Sequence, residues 1–195
     1  MINKNEIKRI YEQEITFLTD AIKNGKNKYH TFTLSTINNE YPELRTVVLR
    51  KLEKKPFKIF FNSDTRSPKI KELEKNKNCS ALFYDFKRKM QLRLKCESVI
   101  YNKDKVSMEV WNKILLQSRK CYMAPYSPSQ ILKKWEPNIP IKYLKKDPER
   151  EESERGYKNF SYIELKVIES DILQLHHDGH IRFKVRNNKF IFISS

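Results

Sequence analysis

The chain has 195 residues, of which 38% are hydrophobic and 12% aromatic, and this composition fits one globular domain of ordinary size. Lysine and arginine outnumber aspartate and glutamate by 40 to 24, so the formal net charge is +16. With only 3 glycines the sequence has no Gly-rich nucleotide loop, and no apolar run is long enough for a membrane span. We therefore expect a single cytoplasmic domain over residues 1–195, with no membrane partner.

The positive charge suits phosphates of every kind, including those of nucleic acids. The lysines, however, are spread through the chain together with Glu and Asn, and no helix-turn-helix, zinc-finger or RNA-recognition signature is present. A solvated basic surface is therefore the favoured interpretation. A basic nucleic-acid-binding module stays open as the third-ranked alternative.

The first elements follow from the spacing of apolar residues. An amphipathic helix is predicted over Lys4–Lys23, and Asn24-Gly25 is a typical helix end. A first strand is predicted over His30–Ile37. The run Leu44–Leu52 has apolar residues on both of its faces, which predicts one strand that is covered on both sides.

A short helix is predicted to begin at Ser67-Pro68, because serine is a good N-cap and proline suits the first helical position. The cations Arg66, Lys69 and Lys71 surround this helix start, where the helix dipole favours anions. Free N–H groups and three cations together suit a bound phosphate. A chance cluster is the alternative, because lysine and arginine are so frequent in this chain.

The next strand alternates strictly between apolar and polar residues from Met90 and is expected to continue to Tyr101. Its apolar face contains Met90, Leu92, Leu94 and Cys96. Its open, basic face contains Gln91, Arg93 and Lys95. This pattern is typical of a half-buried strand.

The second half of the chain is predicted to contain one helix, one long loop and three strands. These are a helix over Asp104–Leu116, a surface loop over Glu136–Lys158 that is mobile without a partner, and strands over Phe160–Leu175, Ile181–Val185 and Phe190–Ile193. We therefore predict a mainly β fold of the α+β class. It would be a small antiparallel barrel of about six to eight strands with flanking helices.

The sequence shows no catalytic set of its own. The three cysteines are too widely spaced for a zinc site or a redox pair. His176, His177 and His180 have no ligand partner at zinc spacing apart from Asp178. No nucleophile elbow and no paired carboxylates are present. We expect no metal and no catalytic side chain, so that a bound cofactor would carry the chemistry.

Four motifs in the central part of the chain resemble the flavin-binding split β-barrel family of pyridoxamine 5′-phosphate oxidase. They are Arg45–Arg50, Asp64–Lys69, Leu82–Asp85 and Gln91–Leu94. The likeness is greatest to the oxidase-like branch with Arg-Ser-x-Lys before the helix. The resemblance implies a split barrel that binds FMN at the subunit interface of a homodimer and acts on a small-molecule substrate.

The resemblance also implies which residues contact FMN. The strand along the isoalloxazine ring would comprise Arg45, Thr46, Val47, Val48 and Leu49. A flavin-contacting pair would follow at Phe61 and Asn62, and a phosphate clamp at Arg66, Ser67 and Lys69. Two further polar contacts would be Gln91 and Arg182.

On the substrate side, the resemblance implies that Arg50, Arg119 and His180 bind the substrate. Other positions depart from the vitamin B6 oxidases, and Asp178 stands where those enzymes carry an arginine. Efficient oxidation of vitamin B6 phosphates is therefore disfavoured. The leading hypothesis is an FMN-dependent oxidoreductase of unidentified substrate. A flavin carrier or stress-response protein without enzymatic activity is the alternative.

Overall fold

The computed structural model describes residues 2–194, and within them it contains nine strands of one sheet and five α-helices. The strands are β1 (Thr31–Asn38), β2 (Tyr41–Val48), β3 (Lys51–Lys54), β4 (Phe57–Asp64), β5 (Asn78–Asp85), β6 (Met90–Tyr101), β7 (Phe160–Gln174), β8 (Ile181–Arg186) and β9 (Lys189–Phe192). The helices are α1 (Lys4–Ala21), α2 (Pro68–Lys75), α3 (Lys105–Trp111), α4 (Leu116–Arg119) and α5 (Arg150–Ser153). The prediction of a mainly β fold with helices is confirmed.

The strands follow one another in the order β2-β1-β5-β6-β7-β4-β3, and β8 and β9 extend the sheet from β7. The β1–β2 hairpin pairs Thr31 with Val48 at one end and Asn38 with Tyr41 at the other. Asn39 in its tight turn has a φ of 53°, a left-handed conformation that asparagine tolerates well. A tight turn of this kind makes β1 and β2 neighbours in the sheet, whereas β2 and β3, although consecutive in sequence, lie at opposite ends of the strand order.

The chain divides into two compact units. The first unit contains residues 2–61, 76–99 and 164–194, and the second contains Asn62–Lys75 and Ile100–Ile163. Each unit is assembled from segments that are distant in the sequence. The organisation of residues 1–195 as a single domain stays a prediction.

The core of the first unit follows the predicted apolar patterns. The helix α1 starts with a capping box between Asn3 and Glu6 and buries Ile7 and Leu18 completely. On β6, the alternation predicted from the sequence is confirmed, because the four residues of its apolar face are all at most 3% exposed. Cys96 is one of these four, so its assignment to the core is also confirmed.

The prediction of one covered strand over Leu44–Leu52 is wrong in two respects. The strand β2 ends at Val48, and β3 begins at Lys51 after a break in the ladder. Moreover, the Leu44 side chain is 64% exposed, so one face of β2 is open, and β2 lies at one end of the strand order and pairs only with β1 among the described strands. The sequence pattern misled because apolar residues on both faces are expected of a central strand but also occur on an edge strand that has an open face.

A charged cluster is buried between α1 and the sheet of the first unit. The carboxylate of Glu14 is only 2% exposed and accepts a hydrogen bond of 2.6 Å from the Tyr29 hydroxyl. Arg88 donates to the same carboxylate through Nη1 at 2.5 Å and Nη2 at 3.1 Å, and its guanidinium lies over the rings of Phe17 and Tyr29. Burial, together with the neighbouring Glu14 carboxylate, raises the pKa of Tyr29.

The variant Tyr29→Phe is expected to lower the free energy of unfolding at neutral pH by about 1–3 kcal/mol, because it removes a hydrogen bond to a buried carboxylate. The folded protein keeps the Tyr29 hydroxyl protonated, whereas the unfolded chain ionises it near its ordinary pKa of 10.0. The stability of the wild type should therefore fall as the pH rises above that value, and the gap between wild type and variant should narrow. Urea denaturation at about pH 8 and about pH 11 measures this gap. A stability difference between wild type and variant that is the same at both pH values would contradict a protonated, hydrogen-bonded Tyr29 hydroxyl in the folded protein.

The segment 136–158 in the second unit is more ordered than the predicted loop. It contains a 3-10 turn at Ile141–Tyr143 and the short helix α5, and it buries Tyr143 and Ser153 to 1% and 0% exposure. The expectation of little burial was wrong at these positions, since it rested on the charge and proline content of the segment. Most of its other side chains are exposed, as charged residues prefer.

Two further findings apply to residues 2–194. No helix among them is both long and apolar enough to span a membrane. No group of three or more His, Cys, Asp or Glu side chains among them could hold a metal ion.

Candidate cofactor site

The predicted phosphate clamp lies where β4 leads into α2, in the second unit. Ser67 is buried, and its carbonyl accepts the first helical N–H bond from Ile70 at 3.0 Å, so Ser67 precedes the helix as predicted. The Lys69 ammonium is 2.5 Å from the Ser67 hydroxyl and 3.4 Å from the Ser63 hydroxyl. A lysine and two hydroxyls at a helix start form a donor set that suits a phosphate.

Arg66, the third clamp residue, is held by an acid that sequence reasoning missed. Its Nε and Nη2 donate to the Asp64 carboxylate at 3.0 and 2.7 Å, and its Nη1 donates to the Ala124 carbonyl at 3.0 Å. The hydrogen bond from Arg66 to Asp64 raises the pKa of the arginine. A guanidinium has five N–H donors, so two of them stay available to a ligand. The sequence position of Asp64, two residues before Arg66, could have suggested this ion pair.

The predicted flavin-contacting pair, Phe61 and Asn62, has two different environments. The Phe61 ring is fully buried in the first unit, where it meets Phe32 edge to face at 6.0 Å, so its side chain is a core residue. The Oδ1 atom of Asn62 is buried and has no hydrogen-bond partner among residues 2–194. A buried acceptor without a donor costs folding free energy, which a ligand N–H or hydroxyl would recover. This atom is the clearest sign that the residues present fit a polar ligand.

The predicted ring-facing residues occupy the end strand β2 and the position directly after it. The side chain of Arg45 bonds the Thr36 hydroxyl and the Glu43 carbonyl. Thr46 is exposed and Val48 half-buried, whereas Val47 and Leu49 lie in the core. Because β2 pairs on one side only among the described strands, its outer edge presents backbone N–H and C=O groups to a ligand. This arrangement suits backbone hydrogen bonds to a flat polar ring.

Gln91 and Arg182 belong to the open face of the first unit. Gln91 is half-buried on β6, opposite Tyr84 of β5. Arg182 on β8 donates to the buried Asp171 carboxylate through Nε at 3.1 Å and Nη2 at 3.0 Å. Arg93 reaches the same carboxylate at 2.7 Å. Asp171, which sequence reasoning missed, thus determines the position of the Arg182 guanidinium beside a cavity of about 450 Å³.

Two of the predicted substrate residues, Arg50 and His180, are exposed in the first unit. The backbone N–H of Arg50 bonds the Phe60 carbonyl at 2.8 Å, which orders the break between β2 and β3. The His180 Nδ1 accepts a hydrogen bond of 3.2 Å from the His176 backbone N–H. Within residues 2–194, neither side chain bonds another predicted site residue.

The third predicted substrate residue, Arg119, requires a correction. Its side chain is 0% exposed, and Nη1 donates to Ser153 Oγ at 2.9 Å and to Glu154 Oε1 at 2.6 Å. Nη2 donates to the Trp111 carbonyl at 2.7 Å, and the guanidinium lies over the Trp111 ring at 4.5 Å. A guanidinium enclosed in this way has no surface with which to contact a substrate. The sequence could not show this, because Ser153 and Glu154 lie more than thirty positions further along the chain.

Comparison with solved structures defines the class of fold. A pyridoxamine 5′-phosphate oxidase-related, FMN-binding protein from Nostoc punctiforme has a TM-score of 0.71 and 18% identity, over 95% of this chain and 97% of its own. PhzG from Burkholderia lata, solved with tetrahydrophenazine-1-carboxylic acid, has a TM-score of 0.69 and 12% identity, over 97% and 92%. A Clostridium acetobutylicum protein related to general stress protein 26 has a TM-score of 0.51 and 14% identity, over 93% and 92%. The fold is therefore the split β-barrel, as predicted.

A family model matches part of the sequence. Residues 12–102 match the family model described as the pyridoxamine 5′-phosphate oxidase FMN-binding domain, so this part of the chain is similar to that family. The comparison with curated proteins gave no match. The matched range contains every predicted cofactor residue except Arg182, and of the predicted substrate residues it contains only Arg50. The finer assignment to a branch with Arg-Ser-x-Lys stays a prediction.

Proposed function

We propose that the protein binds FMN and is a flavin-dependent oxidoreductase that acts on a small molecule, as a homodimer with FMN at the subunit interface. The observation that carries the proposal is the family match over residues 12–102, because it contains the clamp and the ring-facing strand together. The buried Asn62 Oδ1, which has no partner within residues 2–194, supports it independently of any resemblance.

Different residues of this chain would bind different parts of FMN. Lys69, Ser67 and the two spare N–H groups of Arg66 would bind the phosphate. Asn62 would accept a hydrogen bond, and the outer edge of β2 would bond the ring through its backbone. When bound, FMN supplies hydride-transfer chemistry that none of these side chains offers.

Uptake of FMN by the purified full chain, followed by visible absorbance, tests the first half of the proposal. The variant Lys69→Ala is expected to weaken FMN binding about 10- to 100-fold, because it removes a charged donor to the phosphate. Lys75→Ala removes the same charge from an exposed position at the opposite end of α2 and should bind like the wild type. A colourless protein that takes up no added FMN would refute the proposal, and so would equal losses in the two variants.

A flavin carrier or stress-response protein without enzymatic activity is the second candidate. The burial of Arg119 favours it, because this residue is then lost as a substrate anchor. Anaerobic mixing of the FMN-loaded protein with pyridoxamine 5′-phosphate and other reduced small molecules separates the two candidates. Bleaching of the flavin absorbance indicates an oxidoreductase, whereas an unchanged spectrum with every compound favours the carrier.

A further inference from the structure

The second unit contains a basic cleft with a cavity volume of about 460 Å³. We call it the basic cleft and define it by Arg66, Lys142, Tyr143, Arg155, Lys158 and Asn159. Four of these residues are cationic, and no acidic side chain of the described part of the chain lines the cleft. A volume of this size is sufficient for a small organic molecule.

The positive charges of the cleft are only partly neutralised by neighbouring acids. Arg66 pairs with Asp64 at 2.7 Å, and Lys142 pairs with Glu152 at 2.6 Å. Arg155 and Lys158, in contrast, are exposed and have no acidic partner within residues 2–194. The cleft therefore keeps an excess of two positive charges, which favours a dianion over a singly charged carboxylate.

The walls of the cleft are held in place by contacts within the second unit. The Asn159 side chain donates to the Tyr122 carbonyl at 2.7 Å, and the Asn159 carbonyl accepts from the Thr65 N–H at 2.7 Å. Gly156 lies between the two unpaired cations, and a Cβ there would come within 3.1 Å of the Met123 and Trp111 side chains. The segment that carries the cations is thus tightly packed, which reduces the entropy that ligand binding would cost.

A buried tyrosine accompanies the cations. Tyr143 is 1% exposed and forms part of the wall of the cleft. It lies near the Lys142–Glu152 pair, in which Lys142 and, to a lesser degree, Tyr143 lower the pKa of Glu152 to about 2. Glu152 is therefore ionised at neutral pH and keeps Lys142 beside the cleft.

We propose that the basic cleft is a binding site for a dianionic phosphate group, free or carried by a small molecule, and that this site adjoins the FMN phosphate clamp but is occupied independently of it. Arg66 lies at the boundary of the two sites, whereas Ser67 and Lys69 bond each other and do not line the cleft. Arg155 and Lys158 supply the charge that the bound phosphate neutralises.

The test is calorimetric titration of the full chain at low ionic strength with inorganic phosphate, glycerol 3-phosphate and acetate, both without FMN and after FMN saturation. After FMN saturation we expect one saturable phosphate site per chain and much weaker binding of acetate. Without FMN the same site should be present, together with any phosphate bound at the empty clamp. Tighter binding of glycerol 3-phosphate than of inorganic phosphate identifies an organic phosphate as the ligand, and the reverse order identifies free phosphate. Far-UV circular dichroism checks that each protein is folded.

The double variant Arg155→Gln/Lys158→Gln should weaken phosphate binding at least about tenfold, because it removes both unpaired cations. The matched control Lys54→Gln/Lys55→Gln removes two exposed charges from the first unit and should bind phosphate like the wild type. If the double variant does not fold, the single variants Arg155→Gln and Lys158→Gln replace it, each with an expected loss of several-fold.

Three results would overturn the proposal. The first is the absence of saturable binding, and the second is an equal loss in the double variant and its control, which indicates non-specific attraction. The third is phosphate binding that disappears when FMN is added, since the cleft would then hold the FMN phosphate itself. Failure of FMN uptake is read separately from visible absorbance, and in that case the comparison of the double variant with its control, measured without FMN, decides the proposal.

Discussion

Replacing Arg88 by methionine is expected to lower the free energy of unfolding by about 3–5 kcal/mol, because the variant leaves the Glu14 carboxylate buried without its cation. Arg88 donates two hydrogen bonds to Glu14 and one to Asp85 at 2.7 Å, and its guanidinium lies 3.9 Å from the centre of the Phe17 ring. Methionine keeps much of the volume but none of the donors. Urea denaturation followed by circular dichroism measures the loss at neutral pH.

A matched control variant identifies the cause of this loss. Lys87→Met changes the same charge at the neighbouring exposed position and should alter stability by less than about 0.5 kcal/mol. Equal losses in the two variants would contradict a buried ion pair.

Arg119→Ala is expected to destabilise the second unit by about 3–5 kcal/mol. The variant leaves a cavity beside the Trp111 ring and removes the donors to the Trp111 carbonyl, to Ser153 and to Glu154. The loss should appear in the thermal or urea unfolding of the purified chain.

The matched control is Lys113→Ala, which removes one exposed cation just after α3 and should leave the free energy of unfolding nearly unchanged. The comparison decides between two roles for Arg119. A variant that folds with the stability of the wild type and loses only affinity for a substrate would restore Arg119 to the substrate site and contradict the role derived from its burial.

The local patterns of the sequence predicted much of the fold. The helix α1 was expected over Lys4–Lys23 and occupies Lys4–Ala21, and the alternating strand that starts at Met90 ends at Tyr101 as expected. Such elements are predictable because their buried faces repeat with the period of the backbone itself. Where short strands meet irregular chain, the pattern carries less information, and the break after Val48 was missed.

The site was predictable only as a set of residue types along the chain. Ser67 and Lys69 could be placed at a helix start because capping rules are local, and the structure brings their side chains within hydrogen-bond distance. The partners of Arg182 and Arg119 could not be predicted in this way. Asp171 lies on the neighbouring strand of the sheet, and Ser153 and Glu154 lie in a segment predicted to be a mobile loop.

The sequence by itself indicated the resemblance to the oxidase family, the β class and the candidate cofactor residues, because motif order, strand alternation and helix caps are properties of neighbouring positions. Only the tertiary structure decided which cations are free to bind a ligand. Arg119 is enclosed by groups distant in sequence, and part of the hydrogen-bonding capacity of Arg66 is used by Asp64. Beside the basic cleft, Arg155 and Lys158 have no acidic partner within residues 2–194. The physical reason is that the availability of a charge depends on burial and on partners at a few ångströms, which chain folding brings together from remote positions.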